Sequence, residues 1–403
     1  MAAWVQKTAV RVTKNQNVYA ASHAIQSYDY SSQPRIIKNP TTASLKRGTG
    51  GRSSFNGIAC TIFGCGGFVG PYVCNRLGKI GTQLILPYRG ERYALQPLKL
   101  CGDLGQVLYH PFHLRDEESI IKSIKYSNVV INLIGSDVET NNFSYHDVHV
   151  KGARTLARLA KECKVERFIH VSCLNADQKP KPLILPNGSE VLKTKWQGEC
   201  AVKEEFPDAT IIRPSVIYGQ EDKFITHYMS RWRRVDGYIP LWKGGEETEK
   251  QPVHISDVAS GIVATVLDPR TAGKTYQFVG PKRYKLNILV KWLMIVAASG
   301  VETASLDPTD MKYHPLFGAR VALTEMTHRL CPVTSLSWES LEKHHTSDKV
   351  LKGLPTLEDL GIIPADMETQ IRWELKPYQR RRGYGDELGE MLAPAPPKTV
   401  PLS

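Results

Sequence analysis

Three glycines at three-residue intervals mark where this chain could do chemistry. Gly64, Gly67 and Gly70 follow the apolar run Ile58 to Phe63, and the stretch Pro71 to Lys79 comes next, with Val69, Val73 and Leu77 on one helical stripe. A strand, a glycine turn and a helix N-terminus form a site for a pyrophosphate. The first N–H groups of a helix have no partner within it, and its dipole favours an anion. Gly64 permits the tight turn, Gly67 lets the backbone approach the phosphates, and Gly70 lets the helix lie close to the sheet. The spacing is GxxGxxG rather than GxGxxG, because Val69 stands where the shorter pattern needs its last glycine.

The next apolar run ends in Pro87-Tyr88-Arg89-Gly90, and the first acid after it is Glu91. A NAD site of this kind usually has Asp or Glu there, accepting from the ribose hydroxyls. A carboxylate would repel a 2′-phosphate, whereas a guanidinium binds one with paired hydrogen bonds. Arg89 therefore points to NADP(H).

The elements that must position these residues alternate along the chain. Gln83 to Pro87, Gln106 to Tyr109, Asn128 to Gly135, Arg167 to Ser172 and Thr210 to Arg213 read as strands. The run NVVINLIG is apolar throughout, as expected of a strand buried on both faces of a parallel sheet. Asp147 to Lys164 and Ser189 to Phe206 read as helices, and Val150, Ala153, Leu156, Ala157 and Ala160 give the first a 3.6-residue stripe. Strands alternating with helices predict a doubly wound α/β parallel sheet of the Rossmann type. Residues 219–250 look like a loop-rich cap. His254 to Val266 returns to helix, with Ser256 or Asp257 placed to cap it. The division expected is a leader at 1–45, a nucleotide-binding unit at 53–280, a smaller mixed C-terminal lobe at 281–390 and a proline-rich tail at 391–403.

Charge is unevenly spread. Residues 1–52 hold eight basic side chains and one acid, Asp29, so the formal net charge of +12 falls to +5 without them. The remainder is only mildly basic, a weak basis for nucleic-acid binding. An acid-poor N-terminus carrying Lys7, Arg11 and Lys14 beside Trp4, Val5 and Val12 has the pattern of a mitochondrial presequence. Leu286 to Ala298, interrupted by Asn287 and Lys291, falls short of the roughly 18–20 apolar residues of a membrane span and reads as a core helix. Eight cysteines are scattered with no CxxC pair, which fits reduced thiols rather than zinc or a disulfide framework.

Taken together, residues 57–280 resemble an extended or atypical short-chain dehydrogenase/reductase. The resemblance lies in the GxxGxxG turn, the NLIG and RFIHVS strand ends, Arg213-Pro214 with Tyr218-Gly219, and His254-Ile255-Ser256-Asp257. A closer resemblance is to the nucleotide-binding accessory subunits of mitochondrial respiratory complex I. It rests on Gly51-Arg52-Ser53-Ser54, Pro87-Tyr88-Arg89, Gly102 to Gln106, Phe168 to Ser172 and Gln251-Pro252-Val253. This implies NADP(H) contacts at Gly64, Gly66, Gly67, Phe68, Val69, Gly70, Arg89, Ile134, Gly135, Ser172, Lys195 and Pro214. It also implies a peripheral place on the matrix side of the inner membrane, with partner subunits at the junction of the matrix and membrane arms.

Catalysis in the superfamily rests on Ser/Thr, Tyr and a Lys four residues after the Tyr, which lowers the tyrosine pKa and holds the ribose. Aligned on Lys195, the tyrosine position is Val191, which has no proton to give. The serine position falls at Cys173 or Leu174, one beyond Ser172. Cys173 reads as a buried strand-end thiol, since nothing nearby signals a depressed pKa. The Asp that often holds adenine is replaced in register by His113, with Asp116 better placed as a helix N-terminal residue. The cofactor site thus looks intact and the redox machinery does not, so no catalytic residue and no metal are expected. An active NADP-dependent reductase or isomerase is the alternative. An RNA-binding member is a lesser one, resting on the aromatic and basic stretches Ser230 to Arg234 and Tyr238 to Lys243. Those stretches, and Arg380-Arg381-Arg382, could equally face a protein partner or anionic lipid.

Overall fold

In the computed structural model the six runs read as strands become β1 (Ala59–Phe63), β2 (Gln83–Tyr88), β3 (Val107–Pro111), β4 (Val129–Asn132), β5 (Arg167–Val171) and β6 (Thr210–Pro214), and a seventh strand that was not expected, β7 (Thr275–Phe278), joins them. The structure describes residues 46–48, 50–230, 233–235, 237–297, 307–328, 336–378 and 394–401. The expected leader, Arg231, Trp232, Cys331 and the arginines at 380–382 lie outside the described residues. The seven strands form one parallel sheet in the order β3-β2-β1-β4-β5-β6-β7. The direction of winding reverses between β1 and β4. The carboxyl ends of these two strands therefore open the crevice where doubly wound sheets bind ligands.

The period of two along each strand sends side chains to two apolar layers. Ile62, Leu84, Ile131 and Ile169 pack on one face with Val73 and Leu77 of α1 (Gly70–Lys79). Phe63, Val130 and Phe168 pack on the other with Ile120 and Ile124 of α2 (Glu117–Ile124) and with Leu156 and Ala160 of α3 (Ala153–Glu162). Asp116 caps α2, accepting from Glu118 N at 3.2 Å. A π-helical turn, Asp147–Gly152, leads into α3.

Later in the chain come α4 (Glu190–Glu205), α5 (Lys223–Met229), α6 (Ile255–Leu267), α7 (Leu286–Ala297), α8 (Pro315–His328), α9 (Trp338–His345) and α10 (Met367–Glu374). Within the loop-rich stretch 219–250 lies α5, whose Phe224 and Tyr228 join Leu289 and Leu293 of α7 and Ile371 of α10 in a second core. α7 is buried, as its sequence predicts. The cap of α6 differs from expectation: His254, not Ser256 or Asp257, accepts from Ser256 N at 3.3 Å. Ser256 Oγ is taken by Arg76, and Asp257 accepts from Ala365 N at 2.8 Å. The tail is not wholly unpaired, since Thr399–Val400 forms a short antiparallel strand against Arg283 and Tyr284.

Candidate functional site

The turn between β1 and α1 has the geometry of a phosphate cradle. Gly64 has φ +84°, and a Cβ there would stand 3.0 Å from the Leu133 carbonyl carbon, so this corner accepts only glycine. A Cβ on Gly70 would lie 2.1 Å from the Cys65 carbonyl oxygen, so the close approach it permits is between α1 and the turn itself. Gly66 and Gly67 are exposed, and a Cβ on Gly67 would meet only Gly64 O at 3.3 Å. Its lack of a side chain is thus of greater use to a ligand than to the fold. Val69 provides no side-chain cap, no acid lies in the first turn and Pro71 lacks an N–H, so the remaining N–H groups face an uncontested anion position. Phe68, half-buried, makes an edge contact with Tyr72 at 6.3 Å between centroids.

Arg89 stands exposed at the end of β2, with its guanidinium carbon 5.7 Å from the centre of the Phe143 ring. Arg115, which follows β3, sits 4.5 Å from the same ring and also bonds to Asn142 O. The His113 ring lies 5.8 Å from Phe143, and His113 Nδ1 accepts from Arg115 N at 3.3 Å. Two arginines and an aromatic ring thus converge at this rim. Neither Arg115 nor Phe143 was legible as a site residue, because the loop that brings Phe143 across has no motif.

Ile134 and Gly135 follow β4, where Ile134 N donates to Asn132 Oδ1 at 3.0 Å. Lys195 reaches from α4 to the same place: its Nζ lies 3.4 Å from Val171 O and would stand 2.9 Å from a Cβ on Gly135. Burial pulls the Lys195 ammonium below its ordinary pKa. Ser172 is buried after β5 with no partner for Oγ, and Pro214 ends β6, its carbonyl accepting from Leu174 N at 2.8 Å. The expected site residues therefore all lie on the carboxyl side of the sheet.

His149, on the π-helical turn, was not anticipated. Its Nε2 accepts from Ser136 N at 3.1 Å while Nδ1 meets Thr194 Oγ1 at 2.9 Å, so the ring is neutral. Burial, reinforced by Lys195, pushes its pKa down to about 3. Burial likewise raises the Cys173 thiol, which leaves it protonated and a poor nucleophile.

Helix α9 is tied to the segment leading into α4 and to Asp137. Lys343 bonds Asp137 at 2.6 Å, and Lys223 bonds it at 2.9 Å. The Lys343 charge holds the Asp137 carboxyl well below the usual range. Both partners of the Lys343 bridge are about a third exposed, so solvent screens it in part. Glu339 of α9 accepts from Val191 N at 2.9 Å and from Ser189 Oγ. Glu342 accepts from Leu183 N at 2.8 Å, Ile184 N at 2.6 Å and Leu185 N at 3.0 Å. Val191 itself is 1% exposed. Among the described residues no cluster of His, Cys, Asp or Glu could hold a metal.

The stretch expected to present basic and aromatic groups together departs from that expectation in part. Arg233 is buried at 1% exposure, and Arg234 Nη2 bonds inward to Met229 O at 3.2 Å. Neither is arranged to grip a nucleic acid at the surface.

Comparison with known proteins agrees with this architecture. Residues 60–279 match the model of the NAD dependent epimerase/dehydratase family. The chain is 41% identical over 364 residues to the mouse protein named NADH dehydrogenase [ubiquinone] 1 alpha subcomplex subunit 9, mitochondrial, with 89% of each chain covered. It is 33% identical over 349 residues to the NADH-ubiquinone oxidoreductase 40 kDa subunit, mitochondrial, of Neurospora crassa, with 84% of each covered. Among solved structures, the dTDP-glucose 4,6-dehydratase DesIV from Streptomyces venezuelae, with NAD and TYD bound, superposes with a TM-score of 0.56. It is 17% identical, with 83% of this chain and 99% of that one covered, and shows the fold alone. The chain therefore belongs to the NAD dependent epimerase/dehydratase family and, within it, to the group of complex I subunits that these mitochondrial relatives represent.

Proposed function

We propose that this chain is a non-catalytic accessory subunit of mitochondrial complex I that binds NADP(H) as a structural ligand. The observation that carries the absence of catalysis is Val191. It occupies the proton-donor position four residues before Lys195, is buried, and has its N–H held by Glu339. Val191 offers a carbonyl substrate no proton, and α9 is anchored against that segment through Glu339 and Glu342. A bound nucleotide that cannot react still stabilises the folded subunit by mass action.

The residues present suit a dinucleotide. The exposed turn at Gly66 and Gly67, whose Gly67 N–H is tied to Gly64 O at 3.0 Å, would leave room for the pyrophosphate in front of the N-terminus of α1, and Lys195 beside Gly135 would meet the nicotinamide ribose. Arg89, with Arg115 on the other side of the contact with Phe143, favours a 2′-phosphate over a bare ribose. Replacing Arg89→Glu removes a charge-assisted pair and adds repulsion, so NADPH binding should weaken by about 2–4 kcal/mol. Titration calorimetry against NADPH and NADH checks this, and equal wild-type affinity for the two would sink the assignment.

Exposed apolar side chains support a docked subunit. Leu316 and Met326 of α8 are 71% and 77% exposed, and Leu100 and Leu104 before β3 are 77% and 102% exposed. Contiguous apolar surface marks interfaces, and these side chains are ones that a partner could cover. The partners inferred are neighbouring subunits where the matrix and membrane arms meet, with anionic lipid at the edge. No helix among the described residues is long and apolar enough to cross a membrane. Import by the basic leader would place the chain in mitochondria on the matrix side.

The deciding experiment measures NADPH oxidation by the isolated protein alongside complex I in cells. Lys195→Met should leave both the amount and the activity of assembled complex I nearly unchanged wherever nucleotide stays bound. Steady wild-type turnover, lost in Lys195→Met with assembly intact, would instead identify a reductase.

A further inference from the structure

Among the described residues Arg233 is a buried cation without a counter-ion. Its side chain is 1% exposed, and Nε, Nη1 and Nη2 all lack a hydrogen-bond partner. The rings of Tyr228 and Phe317 stand 5.9 and 4.9 Å from its guanidinium carbon. Cation–π contacts of this kind engage a guanidinium without satisfying its N–H groups. Burying a charge with its donors unmet is expensive, and native structures rarely leave such a group alone.

The surroundings share the deficit. Tyr228 Oη and His227 Nε2 are buried without partners, as is His345 Nε2, whose ring is tied through Nδ1 to Leu341 O at 2.7 Å. His344 stacks on His227 with centroids 4.2 Å apart. Burial first, with the Arg233 charge adding to it at each ring, holds these three rings neutral, so none of them answers the guanidinium with negative charge. Burial lowers the Arg233 pKa to about 10, which still leaves it protonated at neutral pH. No described carboxylate pairs with it.

The geometry points to a binding site for a phosphate group between α5, α8 and α9, with Arg233 as its fork and Tyr228 and His227 as supporting polar contacts. A phosphate matches this set better than a carboxylate because it offers more acceptor oxygens to several converging groups. Inorganic phosphate and a phospholipid headgroup share that chemistry. The site is separate from the nucleotide cradle, which lies on the β1–α1 turn.

The test is equilibrium dialysis of the full-length protein against labelled inorganic phosphate and, separately, a short-chain phosphatidate below its micellar concentration. Wild type should bind one more equivalent per chain than Arg233→Met of at least one of the two, and Arg89→Glu should retain that equivalent. The arm that binds identifies the source. Arg233→Lys keeps the charge and loses the fork, so its affinity should fall at least fivefold. Should Arg233→Met fail to fold, judged by circular dichroism, the lysine variant decides. Binding by a folded Arg233→Met equal to wild type, wild-type affinity in Arg233→Lys, or no binding in either arm overturns the site.

Discussion

Gly67→Val is expected to empty the nucleotide site while the chain still folds. Among the described residues the one atom near a Cβ at this position is Gly64 O at 3.3 Å, which a shift of a few tenths of an ångström relieves. The added isopropyl group instead enters the space in front of the helix N-terminus, where a pyrophosphate would sit. Binding should weaken at least about 100-fold, on the order of 2.7 kcal/mol or more. Gly70→Val is the contrasting substitution. Its Cβ would lie 2.1 Å from Cys65 O, a backbone atom that cannot swing away, so it should damage the fold with or without nucleotide.

The comparison matters because a structural ligand acts through linkage. A site kept saturated at 100 times its dissociation constant adds about 2.7 kcal/mol to folding stability. Gly67→Val forfeits that contribution, so its thermal midpoint should no longer rise with NADPH. In cells the amount of assembled complex I should fall, because a subunit unfolded more often is removed more often. Unchanged NADPH binding by Gly67→Val would show that the phosphates do not rest on this turn.

What could be read from the sequence follows the range of the interactions involved. The centre of the parallel sheet was legible because its strands state their own burial: Val129, Val130, Ile131 and Asn132 are all buried; the edge strand β7 alternates polar and aromatic residues and has no apolar run to betray it. The glycine turn was legible because the constraints on Gly64 and Gly70 come from atoms of the turn and the adjoining strand end. The cap of α6 was misread because serine and aspartate are the usual N-caps, while histidine fills the position here through Nδ1. Arg233 read as a surface charge because it follows other polar and aromatic residues. Only the packing of α5 against α8 and α9 buries it.

The anchoring of α9 over the segment around Val191 was the least legible part. Val191 in place of tyrosine can be seen in the sequence, but what holds that segment comes from about 150 residues further on. The bridge from Lys343 to Asp137 spans 206 positions. No local pattern encodes such pairs. α9 by itself is an ordinary capped helix, with Ser337 accepting from Ser340 N at 3.1 Å.

Glu342 gives that anchoring a sharp test. Its carboxylate is fully buried and accepts three consecutive backbone N–H groups, from Leu183, Ile184 and Leu185. Hydrogen bonds to a charged acceptor contribute more than neutral ones, and losing the acceptor strands the donors. Glu342→Ala should therefore destabilise the protein by on the order of 3–5 kcal/mol, read as a lowered midpoint in thermal or urea unfolding. Glu342→Gln should fall between, because an amide offers one acceptor oxygen and turns an N–H₂ toward the remaining donors. The local consequence is more telling than the global one. Cys173 is half-buried rather than fully buried as its strand-end position suggested, lies close enough to Lys195 and Lys343 to feel both charges, and would be exposed further by a loosened α9. Alkylation of Cys173 by a neutral thiol reagent should accordingly speed up in Glu342→Ala at temperatures well below its midpoint. An unchanged rate together with an unchanged midpoint would mean that the carboxylate does not hold α9 against the segment leading into α4, leaving Val191 to carry the case against catalysis alone.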